Sequence, residues 1–427
     1  MIATTLLKKK LMQGAYDDLL QHVYVTRDPT AQRQRLTGIV ECYEQQFGAT
    51  GEAALFSAPG RTELGGNHTD HQHGRVLAAS VNLDIIACVA PNGTNIIRIQ
   101  SEGYPMDTIA LSDLQPQENE VNKTAALIRG VAAAAQQNGY SVSGFDAYMT
   151  SSVLSGSGLS SSAAYETMIG VIVNEFFCKG ELSAVEIAKI GQYAENVYFG
   201  KPCGLMDQMA SSVGSIVAID FADEKNPLVE DIHFPFTDYG HALCIINTGA
   251  DHADLTDEYA AVPREMKAVA AYFGKQVLRD VPEEQFWAEL PALRAQCGDR
   301  AVLRAAHFFA ENDRAQREAQ ALKDGNFAAF LALVRESGQS SFMYLQNVYT
   351  CQSPSRQAVS VLLLLAEQLL HGRGAVRVHG GGFAGTIQAF VPYDMLNEFK
   401  QKMEAVLGEG SCHVLNIRPV GGTVLLA

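Results

Sequence analysis

Residues 156–164 read GSGLSSSAA and continue into the apolar run AAYETMIGVIVNEFF. Flexible glycines and serines directly before a helical run predict a loop whose backbone N–H groups converge at a helix N-terminus. Because that terminus carries partial positive charge, a nucleotide triphosphate can bind there, and serine hydroxyls can contact phosphate oxygens or magnesium. The common P-loop differs, since it has a Lys before its Ser or Thr. A Gly/Ser-rich linker is the alternative, but the flanking VLS and the apolar helix favour a phosphate-binding loop.

Length and composition indicate a two-domain globular enzyme. The chain has 427 residues, of which 47% are hydrophobic and 19% are charged. That length exceeds one simple core, and the proportions are ordinary for soluble proteins. The formal net charge of −15 disfavours nucleic acid or an anionic membrane as a partner, because an acidic surface repels both. No apolar run approaches the roughly 20 residues of a membrane span.

The cysteine usage predicts a reducing compartment. The eight cysteines are scattered along the chain, and none forms a CxxC pair. This pattern is typical of free thiols rather than of a disulfide framework, so we expect a cytoplasmic protein. Polar residues follow KKK at residues 8–10, and we therefore expect no signal peptide.

Alternating strand and helix patterns predict an α+β fold with two packed layers in each domain. Apolar spacings of three and four predict helices over residues 4–22 and 30–47, and SAPGR at 57–61 predicts a turn. The remaining elements are predicted in this order: strands in RVLAASVNLDIIACVAP and NIIRIQS, a helix ending at Asn138-Gly139, a strand in GFDAYMTSSV, a helix around 183–198, the loop FGKPCGLMDQ, a strand in SIVAIDFAD, mostly helical sequence to about residue 371, a helix near 394–407, and strands in CHVLNIR and TVLLA.

The segment APGRTELGGNHTDHQHG at 58–74 has the composition of a sugar-binding loop. It combines a cation at Arg61, several glycines, and a cluster of small polar groups that ends in Asp70. Carboxylate, amide, hydroxyl and imidazole groups suit a sugar, whose hydroxyls both donate and accept hydrogen bonds. The histidines at 68, 71 and 73 raise the alternative of a metal site, but their spacing is not that of paired ligands.

Two further segments carry candidate catalytic chemistry. Glu195 and Asp207 flank the loop of AENVYFGKPCGLMDQMASSVG. Near a phosphate site, one carboxylate can hold magnesium while the other accepts the proton of an attacking hydroxyl. Glu195 alone would be read as a solvated helix residue, whereas Asp207 lies between Met206 and Met209 and needs a partner or a function. The sequence HGGGFAG at 379–385 allows close backbone approach, although a simple tight turn is favoured for it.

Four segments, in this order along the chain, resemble motifs of the galactokinase branch of the GHMP kinases. The family's first motif, roughly GRVNLIGEHTDYN, is matched by GRTELGGNHTDHQ, and its second, GxGLSSSAxxE, by GSGLSSSAAYE. The family's PCGxMDQ, which carries the catalytic aspartate, is present as PCGLMDQ, and GGGFGG is matched by GGGFAG. The matches extend from residue 58 to residue 385, so the resemblance covers most of the chain.

The resemblance implies the two-domain GHMP kinase fold, of α+β class, with the active site in the cleft between the domains. The N-terminal domain would be a mixed β-sheet with helices on one face, and the C-terminal domain would be ferredoxin-like. We accordingly divide the chain into a helical extension over 1–30, an N-terminal kinase domain over 31–220 and a C-terminal kinase domain over 221–427.

The resemblance also implies roles for individual residues, with ATP and Mg²⁺ as cofactors. Asp207 would accept the proton of the anomeric hydroxyl, and Arg61 would stabilise both that carboxylate and the transferring phosphoryl group. Ser162 and Glu195 match the magnesium-binding positions. The other implied residues are Asn67, His68, Asp70, Gly204 and Tyr259 for the sugar, Gly156, Ser157, Gly158, Leu159, Ser160, Ser161 and Ser162 for the triphosphate, and Gly380, Gly381 and Gly382 for the third-motif turn.

Departures from the family pattern concern mostly the sugar. Asn67 stands where galactose-specific members have Glu, and that Glu faces the sugar's C6 hydroxyl. An amide can form a hydrogen bond with a C6 hydroxyl, and it can also donate to a C6 carboxylate, which a Glu would repel. Galacturonate kinases also have a neutral residue at this position. Glu63 and Gly65 replace the family's Asn and Ile. The tryptophan near the family's adenine pocket is missing, since Trp287 is the only one in the chain.

We therefore expect an ATP-dependent sugar 1-kinase that acts on galactose, with galacturonate or another C6-modified sugar as the alternative substrate. A non-catalytic sugar or nucleotide sensor on the same scaffold is the alternative of another class. A mevalonate- or homoserine-type kinase is disfavoured by HTDH together with PCGLMDQ. The expected partners are the sugar and ATP, with no nucleic acid and no membrane.

Overall fold

The computed structural model describes residues 1–48, 51–153, 158–201, 203–250 and 255–427, with only the backbone of Thr237. The strands are β1 (Ile2–Ala3), β2 (Glu52–Gly65), β3 (Arg75–Pro91), β4 (Ile96–Ser101), β5 (Asp107–Ala110), β6 (Phe145–Ser151), β7 (Ile216–Asp220), β8 (Leu228–Ile232), β9 (His241–Asn247), β10 (Ala375–His379), β11 (Thr386–Pro392), β12 (Cys412–Leu415) and β13 (Thr423–Leu426). The helices are α1 (Thr4–Met12), α2 (Asp17–Tyr24), α3 (Thr30–Phe47), α4 (Thr124–Gln137), α5 (Ser161–Phe177), α6 (Ala184–Tyr193), α7 (Met206–Val213), α8 (Thr256–Tyr272), α9 (Glu283–Ala288), α10 (Leu290–Cys297), α11 (Asp299–Lys323), α12 (Phe327–Ser340), α13 (Ala358–Leu370) and α14 (Tyr393–Leu407).

The first sheet contains nine of these strands and is mixed. Its main path runs β1-β2-β3-β6-β4-β5, β13 pairs with β2, and β7 joins β3 to β8. The β4–β6 pair is parallel, and the other pairs are antiparallel. The predicted mixed sheet is therefore confirmed.

The second sheet has four antiparallel strands in the order β10-β11-β9-β12. The chain runs from β9 through a helical region to the β10–β11 hairpin, and α14 then leads to β12. This β-α-β-β-α-β arrangement is ferredoxin-like, which confirms the expectation. The chain changes sheets between β8 and β9, while β13 returns to the first sheet; the division at residue 220 stays a prediction.

Helices cover both faces of the first sheet, which corrects the expectation of helices on one face only. Along β2, Phe56 packs into the core formed with α4 and α5. The neighbouring Leu55 points to the opposite face, where it packs against Leu20 of α2 and Leu36 of α3. The central strands carry nearly continuous apolar runs that are buried on both faces, so each face needs a covering layer.

The segment SAPGR, predicted as a turn, lies inside β2. The strand pairs with β3 along its whole length, and the register shifts between Pro59 and Arg61. Proline lacks a backbone donor and is accommodated in a sheet at such an irregularity, so Pro and Gly here mark a bulge and not a chain reversal. The predicted helix over 4–22 is likewise divided into α1 and α2, because Gly14 adopts φ +74° between them.

No helix among the described residues is long and apolar enough to cross a membrane.

The end of β2 passes very close to α11 at Gly65. A Cβ atom on Gly65 would overlap the Glu318 carboxylate, and that side chain is fully buried. Neither carboxylate oxygen of Glu318 has a hydrogen-bond partner, and burial raises its pKa well above the usual range. The buried carboxyl of Glu318 thus fills the space beside Gly65. The galactokinase motif has an isoleucine at the position of Gly65.

We expect Gly65→Ala to lower the free energy of unfolding by about 2 kcal/mol, because the new methyl group overpacks a filled core. Chemical denaturation measures this change. Glu318→Ala in the same chain removes the overlapping group, so the two losses should be less than additive. Gly38→Ala is the matched control, since nothing lies within 4 Å of its added Cβ. Equal stability of the Gly65→Ala variant and the parent would contradict the close packing.

Candidate active site

Arg61 and Asp207 form a two-pronged ion pair at the centre of the candidate site. Arg61 extends from β2, and its Nε and Nη2 donate to the two carboxylate oxygens of Asp207, each at 2.6 Å. Such bidentate pairs fix the relative orientation of both groups. Asp207 lies in the first turn of α7, which corrects its predicted loop position. The helix N-terminus favours an anion there.

The pair keeps the Asp207 carboxyl ionised. Burial would raise the pKa of this carboxyl, but the Arg61 charge and hydrogen bonds outweigh burial and hold the pKa below its usual range. The side chain of Asp207 remains 28% exposed. An ionised and accessible carboxylate can accept a proton from a bound hydroxyl.

Arg61 also holds the serine-rich loop against β2. Its guanidinium donates to the Gly158 carbonyl, and its backbone N–H donates to the Leu159 carbonyl at 3.0 Å. Ser160 precedes α5 with φ +51°, and the helix begins at Ser161, two residues before the predicted helical run. The loop carbonyls thus turn toward Arg61 at the N-terminus of α5, where anions are favoured. Gly156 and Ser157 lie outside the described residues.

Ser162 and Glu195 lie side by side, as a magnesium site requires. Ser162 Oγ donates to Glu195 Oε1 at 3.2 Å, and Gln208 Nε2 donates to Glu195 Oε2 at 2.8 Å. Mg²⁺ is bound in proteins through one or two carboxylates together with substrate phosphates and water, so a hydroxyl and a carboxylate oxygen fit this ion. Among the described residues, no group of three or more His, Cys, Asp or Glu side chains is placed to hold a metal ion.

A cavity of about 460 Å³ opens beside Ser161 and Ser162. Its size is that of a small-molecule site, and its lining is largely apolar with a few polar groups. Tyr104 stands at its wall with 69% of its surface exposed, and Phe199 and Tyr165 also line it. These aromatic side chains are available for a flat base where the family tryptophan is missing.

The predicted sugar-binding segment over residues 58–74, called the sugar loop below, meets the residues just before α7 at Asp70. A Cβ on Gly204 would lie 2.7 Å from Asp70 Oδ2, so glycine at this position leaves room for the Asp70 carboxylate. His68 adopts φ +60°, and burial lowers its pKa to about 4, which keeps the imidazole neutral. The structure therefore brings together two of the predicted sugar residues, Asp70 and Gly204, and places His68 against the glycine turn.

The third-motif turn presents three successive carbonyl oxygens, two of them to the sugar loop and the third to Tyr259 of α8. The Gly380 carbonyl accepts from Asn67 Nδ2 at 2.7 Å, and the Gly381 carbonyl faces His68 Nε2 at 3.0 Å. The Gly382 carbonyl accepts from Tyr259 Oη at 2.7 Å. Gly380 and Gly382 both have positive φ, which explains why glycine is required. The turn therefore joins the second sheet to the sugar-binding segment.

Asn67 is buried, and its amide is satisfied by protein groups. Besides Gly380, Nδ2 donates to Glu63 Oε1 at 3.0 Å. Oδ1 accepts from Asn347 Nδ2 at 2.9 Å and from Ser341 Oγ at 3.3 Å. All four hydrogen bonds of the amide are thus formed within the protein. In this conformation Asn67 shapes the sugar loop from beneath, and its predicted sugar contact stays a prediction.

Sequence reasoning did not single out several residues that support the site. Arg377 is fully buried, and its Nη2 pairs with Glu63 while Nη1 donates to the Leu64 carbonyl at 3.1 Å. His379 contacts Thr62 Oγ1 at 3.0 Å, and burial together with the Arg61 charge lowers its pKa well below the usual range. The only available signal was that Arg377 and His379 lie in the strand that leads into the glycine turn.

Comparisons with known proteins agree with this architecture. The galactokinase galactose-binding signature matches residues 41–91, and the GHMP kinase N-terminal domain matches residues 126–215. The structure of Lactococcus lactis galactokinase complexed with galactose superposes with a TM-score of 0.77 at 25% identity, covering 91% of this chain and 99% of that one. Methanococcus jannaschii mevalonate kinase shares the fold with a TM-score of 0.62 at 14% identity, covering 86% and 99%. The fold is thus that of the GHMP kinases.

Proteins related in sequence identify the branch of the GHMP kinases to which the chain belongs. The galactokinase of Glaesserella parasuis is 32% identical over 84% of this chain and 90% of its own length. The galactokinase of Streptomyces coelicolor is 31% identical over 81% and 86%, respectively. The chain belongs to the galactokinase family.

We expect Asn67→Asp to lower the free energy of unfolding by about 3 kcal/mol at pH 7. The substitution keeps the shape but removes both donors, so a carboxylate would face the Glu63 carboxylate and the Gly380 carbonyl in a buried position. Urea denaturation measures the change. Asn226→Asp on the exposed surface is the control and should be nearly neutral. A neutral result for both variants would show that the Asn67 amide does not make these bonds.

Proposed function

We propose that this protein transfers the γ-phosphoryl group of MgATP to the anomeric hydroxyl of galactose and releases galactose 1-phosphate and ADP. The observation that carries the proposal is the bidentate Arg61–Asp207 pair beside the serine-rich loop. In this pair an ionised Asp207 carboxylate lies next to the N-terminus of helix α5, where a triphosphate is favoured. The galactokinase relatives support the same reaction.

In the proposed reaction, Asp207 accepts the proton of the anomeric hydroxyl while its oxygen attacks the γ-phosphorus. The new O–P bond forms as the bond from the γ-phosphorus to the bridging oxygen breaks, and ADP leaves with that electron pair. Arg61 keeps Asp207 ionised and turned toward the cleft, and its positive charge stabilises the transferring group. Ser162 and Glu195 would hold Mg²⁺, whose positive charge would offset the negative charge of the triphosphate.

The proposal assigns the remaining residues by their place around this pair. Gly158, Leu159, Ser160 and Ser161 form the described part of the triphosphate cradle, and the cavity beside Tyr104 takes the adenine. His68, Asp70, Gly204 and Tyr259 surround the sugar. Most of the catalytic effect would come from positioning and charge neutralisation, because phosphoryl transfer needs little covalent chemistry from the protein.

The proposal also places the protein in the cytoplasm. All eight cysteines are free in the structure, and four of them are buried. Free thiols are typical of a reducing compartment. Fractionation of the cells that make the protein checks this assignment.

We expect Asp207→Asn to lower kcat by about 10³-fold, because the amide cannot accept the proton. Binding of MgADP should remain within a few-fold of the parent, since Asp207 does not line the nucleotide cavity. A coupled assay of ADP release measures kcat, and calorimetry measures nucleotide binding. Asp146→Asn is the matched control, because Arg98 donates to both carboxylate oxygens of Asp146 in the same way and neither residue lines the nucleotide cavity. Near-parental turnover of Asp207→Asn would refute its role as the base.

A second candidate substrate is galacturonate, and the neutral residue at position 67 favours it. The carboxylate to which the Asn67 side chain donates is Glu63, and Arg377 compensates its charge. A sugar carboxylate at C6 would therefore meet no opposing carboxylate at residue 67.

We expect strong ADP release with galactose in a parallel assay of galactose, galacturonate, glucose and N-acetylgalactosamine. A higher rate with galacturonate than with galactose would instead show that the sugar site around Asn67 is specific for a uronic acid. Nucleotide binding without turnover on any sugar would refute the kinase proposal and favour a sensor.

A further inference from the structure

Two of the N-terminal helices, α2 and α3, contact one buried carboxylate, Asp84 of β3. Tyr24 Oη, at the end of α2, donates to Asp84 Oδ2 at 2.7 Å. Arg35 of α3 pairs with Asp84 Oδ1 and donates to its backbone carbonyl at 3.0 Å. Asp84 is fully buried, and so is Tyr24 apart from a trace of its surface. The Tyr24 contact is therefore shielded from water, whereas the Arg35 side chain is 22% exposed.

Asp84 in turn holds the chain that enters the serine-rich loop. Its carbonyl accepts from the backbone N–H of Ser152 at 2.9 Å and from Ser152 Oγ at 3.1 Å. The Asp84 backbone N–H donates back to Ser152 Oγ at 3.0 Å. Ser152 follows directly after β6. Val153 then lies beside Gly60. A Cβ atom added to Gly60 would be 3.1 Å from Val153 Cγ1 and 3.0 Å from the Leu159 carbonyl oxygen.

Arg418 links the Asp84 carboxylate to α7, the helix that carries the candidate base Asp207. Arg418 is fully buried, lies over the Tyr24 ring at 5.6 Å, and approaches Asp84 Oδ2 at 3.4 Å. It also donates to the Gly421 carbonyl at 3.1 Å. A Cβ on Gly421 would overlap the backbone of Ser212, so this segment lies directly against the end of α7.

Burial gives these contacts their strength. A buried carboxylate must be compensated by donors on all sides, and each hydrogen bond to it counts for more than one in water. The hydroxyl of Tyr24 supplies one of these donors, and it comes from the segment before residue 31 that none of the four family motifs covers. Removing this hydroxyl leaves the apolar packing of the ring unchanged.

We propose that Tyr24 is a positioning residue for catalysis, which acts through Asp84 to fix both the entry of the phosphate loop at Ser152 and the helix that carries Asp207. The N-terminal helices are then part of the nucleotide site's support and not only a cover for the sheet. This inference rests on the proposed nucleotide site, and it gives the first thirty residues a function.

The test compares Tyr24→Phe with Tyr43→Phe. Both tyrosines are buried in the same apolar cluster, but of the two it is Tyr24 whose hydroxyl donates to Asp84. We expect the Kd for MgADP, measured by calorimetry well below Tm, to rise about fivefold in Tyr24→Phe and to stay unchanged in Tyr43→Phe. A purely structural hydroxyl would lower Tm and leave the Kd of the folded protein unchanged.

Ser152→Ala gives a second measurement that does not depend on how Tyr24→Phe folds. It removes the hydroxyl contacts with Asp84 near the loop, so the same rise in Kd is expected. Unchanged nucleotide affinity in Ser152→Ala, or equal affinity in the two tyrosine variants, would overturn the inference. A parent protein that binds no MgADP would overturn the proposed function itself, and the inference with it.

Discussion

The pairing of Arg61 with Asp207 is the interaction on which the candidate site depends. Arg61 lies on β2, Asp207 on α7, and the carbonyls of Gly158 and Leu159 on the loop before α5. One side chain thus fixes three elements that are far apart in sequence. Because both oxygens of Asp207 accept from the guanidinium, the carboxylate has a single orientation and stays ionised in a partly buried place.

A second constraint lies beneath the sugar loop. Glu63, Asn67 and Arg377 form a buried polar network that joins β2 to the strand before the glycine turn. Each buried group there needs its partner, since an unpaired one would cost more than its bond contributes. The loop's shape therefore depends on the second sheet, and the two halves of the chain must fold together to build the site.

Much of the fold and the site could be predicted from sequence, because four motifs carry local chemistry. The serine-rich loop before α5 and the tight turn at HGGGFAG follow from residue type and spacing. The bulged path of SAPGR through β2 could not be predicted, since Pro and Gly usually mark turns. The contacts of Glu63 with Arg377 and of Gly65 with Glu318 also could not, because they join positions about 250 to 310 residues apart.

The most direct test of this account is the pH profile of kcat/KM for the parent and for Arg61→Met. Burial raises the pKa of Asp207 and Arg61 lowers it, so removing the cation should move the acid limb to higher pH. Arg61→Lys, which keeps a charge, should show a smaller shift. An acid limb at the same pH in parent and Arg61→Met would contradict the claim that this ion pair keeps the base ionised.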